Sequence, residues 1–177
     1  MSNYIIASLL PYFSWIIDVT CSEYTPMLSI IRYQGDSMIQ MQAIVVEPIP
    51  ISPLYSIPAG AQMKAGTHVL HNLIPLLIAY ALILSWPMSL VRERLIALCM
   101  MAPILIVIMG LSTPYLLAGH IEVLYQNLAN QHGITREVPF LLHWMIFIET
   151  GGVWLLPIAG AGLSLYLARL MISRRSS

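Results

Sequence analysis

The chain has 177 residues, 58% of them hydrophobic and only 9% charged, where a soluble domain carries about 25%. Its eight basic and eight acidic residues cancel, which removes the polyelectrolyte signal of nucleic-acid binders. That composition fits one membrane domain with a lipid bilayer as its first partner and leaves no room for a separate soluble domain.

A spanning helix needs roughly 20 mainly apolar residues, and the first such run is Tyr4–Thr20. Met1–Ile6 has no Lys or Arg and no small-residue cleavage site follows Trp15, so the run is expected to stay as an anchor and not leave as a signal peptide. Pro11 and Asp18 interrupt it. The segment 21–67 is too polar to cross. Met27–Tyr33 and Met38–Val46 are rich in branched residues around Gln34-Gly35-Asp36-Ser37, which predicts a β-hairpin. Pro48, Pro50, Pro53 and Pro58 then argue against ladder pairing, so an extended stretch is expected until Gly60 and Gly66.

His68–Trp86 is the second expected span. His68 and His71 lie one turn apart, and Asn72 and Pro75 continue the stripe. Arg92 and Arg94 occupy the short link to a third span, Leu95–Ala118. In the outer segment 119–138, Ile121, Leu124, Tyr125 and Leu128 repeat at helical spacing before Gly133, predicting an interfacial helix.

The fourth span is placed at Phe140–Met171. It holds His143 near its start and Glu149 about nine residues in, roughly 13 Å deep at the helical rise. A carboxyl at that depth is costly and faces a cavity, a bundle interior or a partner; His71 and Tyr115 are the candidate companions. Gly152, Gly160 and Ser164 form a small-residue strip of the kind that lets helices approach closely, which makes them candidate partner contacts.

Five of the eight basic residues (Arg92, Arg94, Arg169, Arg174, Arg175) fall at the second link or the end of the fourth span. By the positive-inside rule this places both termini in the cytoplasm. The expected fold is therefore an all-α membrane protein of four transmembrane helices, with a small extracytoplasmic β-hairpin region between the first and second. The expected location is the bacterial inner membrane.

Candidate chemistry is sparse. Paired imidazoles can share a metal, so a redox subunit holding metal or haem between His68 or His71 and His143 is one alternative; a wet interfacial histidine is the plainer reading. No H-E-x-x-H, C-x-x-C-H or catalytic Ser-His-Asp pattern is present, so neither an enzyme nor a cofactor is expected. Eleven methionines scattered inside and outside the spans read as adaptable packing and not as copper ligands. Cys21 and Cys99 are expected to lie too far apart to pair.

The layout from Pro53-Leu54-Tyr55 through Ile74-Pro75-Leu76-Leu77-Ile78-Ala79, Ser85-Trp86-Pro87 and Arg92-Glu93-Arg94-Leu95 resembles small bacterial inner-membrane proteins encoded with exosortases, especially the exosortase-H-associated type. The resemblance implies an accessory role in sorting or surface display of envelope proteins. Exosortases use Cys, Arg and His, but Cys99 has no arginine near it, so no catalytic role carries over. The leading expectation is a non-enzymatic subunit that meets other membrane proteins through span four and the outer segments. A small oligomeric transporter using Glu149 is a further alternative.

Overall fold

The computed structural model describes residues 2–52, 55–88, 91–135 and 137–173. Pro53, Leu54, Arg136, Arg174 and Arg175, which the sequence reading uses, lie outside the described residues. The elements are α1 (Ser2–Thr20), β1 (Tyr24–Tyr33), β2 (Asp36–Val45), β3 (Ile49–Ser52), β4 (Tyr55–Ile57), β5 (Gln62–His68), α2 (Val69–Ser85) and α3 (Val91–Gln131). After these come α4 (Phe140–Phe147), a π-helical turn (Ile148–Gly152) and α5 (Val153–Ser173).

The all-α, four-span expectation is corrected. Among the described residues, only α3 and the kinked rod Phe140–Ser173 are long and apolar enough to cross a membrane, and the apolar parts of α1 and α2 are shorter, Ile6–Thr20 and Val69–Ser85. The reason is local. The chain stays in a β-ladder through His68, paired with Met38, and Pro87 follows closely after Ser85. The 17 residues between make about 26 Å of helix, short of a hydrocarbon core of about 30 Å. Five strands also form, in a three-stranded and a two-stranded sheet.

The hairpin turn falls at Gln34-Gly35. Both have positive φ, 52° and 91°, as a two-residue type I′ turn requires, and glycine meets that demand without strain. β2 alternates cleanly, burying Ile39, Met41, Ala43 and Val45. The prolines do not keep the next stretch unpaired: β3 pairs with β4 through Pro50 opposite Ser56, with an irregularity beside it. Two-stranded ribbons tolerate proline because each strand has a free edge. β5 then returns to pair with β2, giving the order β1-β2-β5.

α3 is the axis of the molecule. Its 41 residues extend about 61 Å, with no break at Ala118. Along its N-terminal half, Ala97, Met101, Leu105 and Ile108 pack with Ala79 and Ile83 of α2 and Ala161, Leu165 and Ala168 of α5. Along its C-terminal half, Leu117, Ile121, Tyr125 and Ala129 join Phe13 and Ile17 of α1 and the inner face of the sheet. Of the face expected to rest in headgroups, Ile121 and Tyr125 are thus buried and Leu128 packs against them, while Leu124 stays exposed. Gly133 (φ 72°) ends α3: its N–H donates to Asn130 O and that of Ile134 to Ala129 O, both at 3.0 Å, a Schellman closure.

Candidate functional site

The ladder between β2 and β5 runs out at His68, and α2 begins at the next residue. His71 therefore stands one turn above His68, while Asn72 turns inward and is buried. Asn72 accepts a hydrogen bond from the buried Thr113 hydroxyl on α3 and donates to His68 O at 3.2 Å. This pair fixes α2 against α3 at the level where α3 carries Pro114.

Proline leaves a carbonyl without its helical donor, and side chains hydrogen-bond to carbonyls of the turns just before Pro114. The Trp144 indole N–H donates to Leu111 O at 2.7 Å, and Ser112 Oγ donates to Ile108 O at 2.8 Å. Two turns beyond, His120 faces the π-helical turn that joins α4 to α5. Gly151 leaves helical geometry there (φ 165°, ψ −12°), so the rod kinks, and the kink sets Glu149 opposite α3, with His120 Nε2 3.3 Å from Glu149 Oε1. Gly152 fills the inside of the turn, its Cα so close to Phe147 that a Cβ would lie 2.7 Å from the ring.

His68, His71, His120 and Glu149 line one cavity of about 340 Å³, walled by Pro75, Leu116, Ile148 and Val153. Three imidazoles and one carboxylate thus arrive from four elements: β5, α2, α3 and the π-turn. Among the described residues, no group of three His, Cys, Asp or Glu is placed to hold a metal ion. What the cavity can do is donate and accept hydrogen bonds.

Several site expectations change. Glu149 is half-exposed, at 51%, and its partner is His120, not His71 or Tyr115; Tyr115 faces α1 beside Ile16 and Ile17. His143 is exposed on α4 and takes no part in lining the cavity, so the suggested bridge from His68 or His71 to His143 does not form. The small-residue strip is consumed within the chain. A Cβ on Gly160 would meet Ile108, Ile104 and Met101 of α3, and Ser164 Oγ donates to Ala97 O at 2.5 Å.

Sequence reasoning missed a second polar group. Cys21, Tyr24, Glu122 and Tyr125 are all buried, where α1 and β1 meet α3. Burial pushes the Cys21 thiol up; the Tyr24 hydroxyl beside it pulls the other way, and Glu122 and Glu23 add to the rise. Burial also pushes the Tyr24 phenol far up, with Cys21, Tyr125 and Glu122 contributing. Glu122 and Tyr125 are spaced i, i+3 on α3, the one local signal that put two of the four on a common face.

Comparison of the chain with protein-family models, with curated proteins and with solved structures finds no match in any of the three.

Proposed function

We propose that this chain is a non-enzymatic membrane protein that binds a small polar ligand in the His68–His71–His120–Glu149 cavity. The observation that carries the reading is the convergence of those four side chains from four elements on one cavity. It lies where α2 carries Pro75, α3 carries Pro114 and the α4–α5 rod carries a π-turn, so the surrounding helices are deformable there. Membrane association rests on the two long apolar helices, whose best windows are only 39% and 33% buried. A soluble protein hides its core helices far more completely.

The cavity falls at one membrane boundary. Glu149 precedes Arg169 by 20 residues, about 30 Å of helix, which is one hydrocarbon thickness. With Arg92, Arg94 and Arg169 at the cytoplasmic boundary, the cavity opens on the opposite side. The test is thermal unfolding of the nanodisc-embedded protein against a panel of small carboxylates, phosphates and amines at pH 5.5 and 8. The expected result is a compound that raises Tm, an effect lost in Glu149→Gln and His120→Gln. A panel without effect, or shifts that survive both substitutions, overturns the reading.

An accessory-subunit role keeps one specific support. β1 is an edge strand of ten residues with Met27 and Tyr33 more than half exposed. Pro26 shows its outward phase: proline has no N–H to lose, and its carbonyl accepts from Ser14 Oγ at 3.3 Å. Leu28, Ile30 and Arg32 share that phase and offer a short edge for a partner strand. In this reading an envelope sorting complex is the setting. Native purification decides it: co-elution of one membrane protein, abolished by Ile30→Pro, supports it, and a lone monomer overturns it.

A further inference from the structure

A second groove, of about 470 Å³, adjoins the first through His68 and His71 and reaches the hairpin tip. Its two ends differ in chemistry. Asp36 and Ser37 from the hairpin, with the two imidazoles, make one end polar; Val69, Leu70, Leu73 and Ile74 of α2 make the other apolar. We propose that this groove seats the headgroup of a zwitterionic phospholipid of the phosphoethanolamine class, with one acyl chain laid along α2. The inference rests on the membrane reading above, not on the ligand of the first cavity.

Each part of such a lipid has a counterpart. Its phosphate takes hydrogen bonds from His68 and His71, and no side chain caps the first amides of α2 beside them, so those donors face the same space. Its ammonium pairs with the Asp36 carboxylate through charge-assisted hydrogen bonds. A choline headgroup has no N–H for that pair, and a purely anionic headgroup sets its charge against Asp36. The chain has a path as well. Leu70, Leu77 and Leu84 are 65%, 60% and 55% exposed, and their spacing of seven keeps them on one face of α2. From Leu70 to Leu84 that face runs about 21 Å, more than one leaflet of a hydrocarbon core about 30 Å thick. The headgroup end is level with Glu149, because His68 and His71 line both spaces, and so it lies at the membrane boundary.

The experiment is native mass spectrometry of the full chain released from nanodiscs. The discs contain phosphatidylethanolamine, phosphatidylcholine or phosphatidylglycerol with identical acyl chains, and a parallel sample carries millimolar inorganic phosphate. Retention of the ethanolamine lipid is expected to exceed that of the other two by roughly fivefold. Asp36→Asn should bring ethanolamine and choline lipids level, whereas His71→Ala should weaken all three alike. Equal retention of the three lipids, a preference that survives Asp36→Asn, or displacement of lipid by inorganic phosphate overturns the proposal. A chain that inserts into discs but shows no preference defeats this inference alone; a chain that does not insert defeats the membrane reading with it.

Discussion

At the scale of single residues, close packing decides which glycines matter. A Cβ on Gly119 would lie 2.5 Å from Met145 Cβ and 3.1 Å from Leu141 O, and a backbone oxygen cannot yield as a flexible side-chain end does. Gly119→Ala is therefore expected to cost about 1–3 kcal/mol by overpacking, read as a lowered Tm in detergent. Gly162, with nothing within 4 Å of its Cβ position, should tolerate alanine with an unchanged or slightly raised Tm. The Cys21–Tyr24 group gives a pH prediction. Both acids are raised in the folded chain, so folding favours their neutral forms. That stability is complete below the ordinary thiol value of about 8.5. It falls as pH rises further, because the unfolded chain releases these protons first. Unfolding followed from pH 7 to 10 should show the decline, and Cys21→Ser should delay its onset until phenol ionisation begins.

At the scale of elements, the joint between α2 and α3 depends on a buried hydrogen bond from Thr113 to Asn72. Thr113→Val leaves the Asn72 oxygen buried without that donor, at a cost of about 1–3 kcal/mol. Adding Asn72→Leu should cost less than the two single changes summed, and a double-mutant cycle on Tm would show that coupling. Full additivity would mean the bond does not hold the joint. The same scale shows what was legible in the sequence. Gln34-Gly35 announced its hairpin because φ > 0 is a local demand. Ile121 and Tyr125 announced a helix because periodicity is local too. That this helix continues α3 without a break, and that β5 re-pairs with β2 across the proline-rich stretch, depends on partners far along the chain. Window hydropathy is blind to both.

At the scale of the whole molecule, charge placement and fold agree. Arg92 and Arg94 begin α3, Arg169 lies in the last turns of α5, and Ser164 reaching Ala97 O while Glu149 meets His120 shows the two rods antiparallel. Orientation is testable with an impermeant maleimide on cells expressing the chain with Cys21 and Cys99 replaced and one new cysteine introduced. Glu93→Cys should be labelled only from the cytoplasm and Gln131→Cys only from the opposite side; the reverse pattern overturns the orientation. The candidate site was half legible at this scale. His68 and His71 stood out by spacing, and Glu149 by its apolar surroundings. His120 did not, because nothing local shows that residues 29 positions apart meet at 3.3 Å. Gly160 and Ser164 misled for the complementary reason: a small-residue strip marks close approach without saying whether the neighbour is in the same chain.

The length of α3 has a consequence for the order of biosynthesis. Chains emerge N-terminus first, and the packing around the C-terminal half of α3 comes mainly from α1 and the strands, all made earlier. The packing around its N-terminal half includes Ala161, Leu165 and Ala168 of α5, made last. A chain truncated after Gln131 should already protect Phe13 and Ile39 from a protease while leaving Ala97 and Met101 without the cover of α5. One half of the helix would thus be packed while the other half waits for α5 to be made.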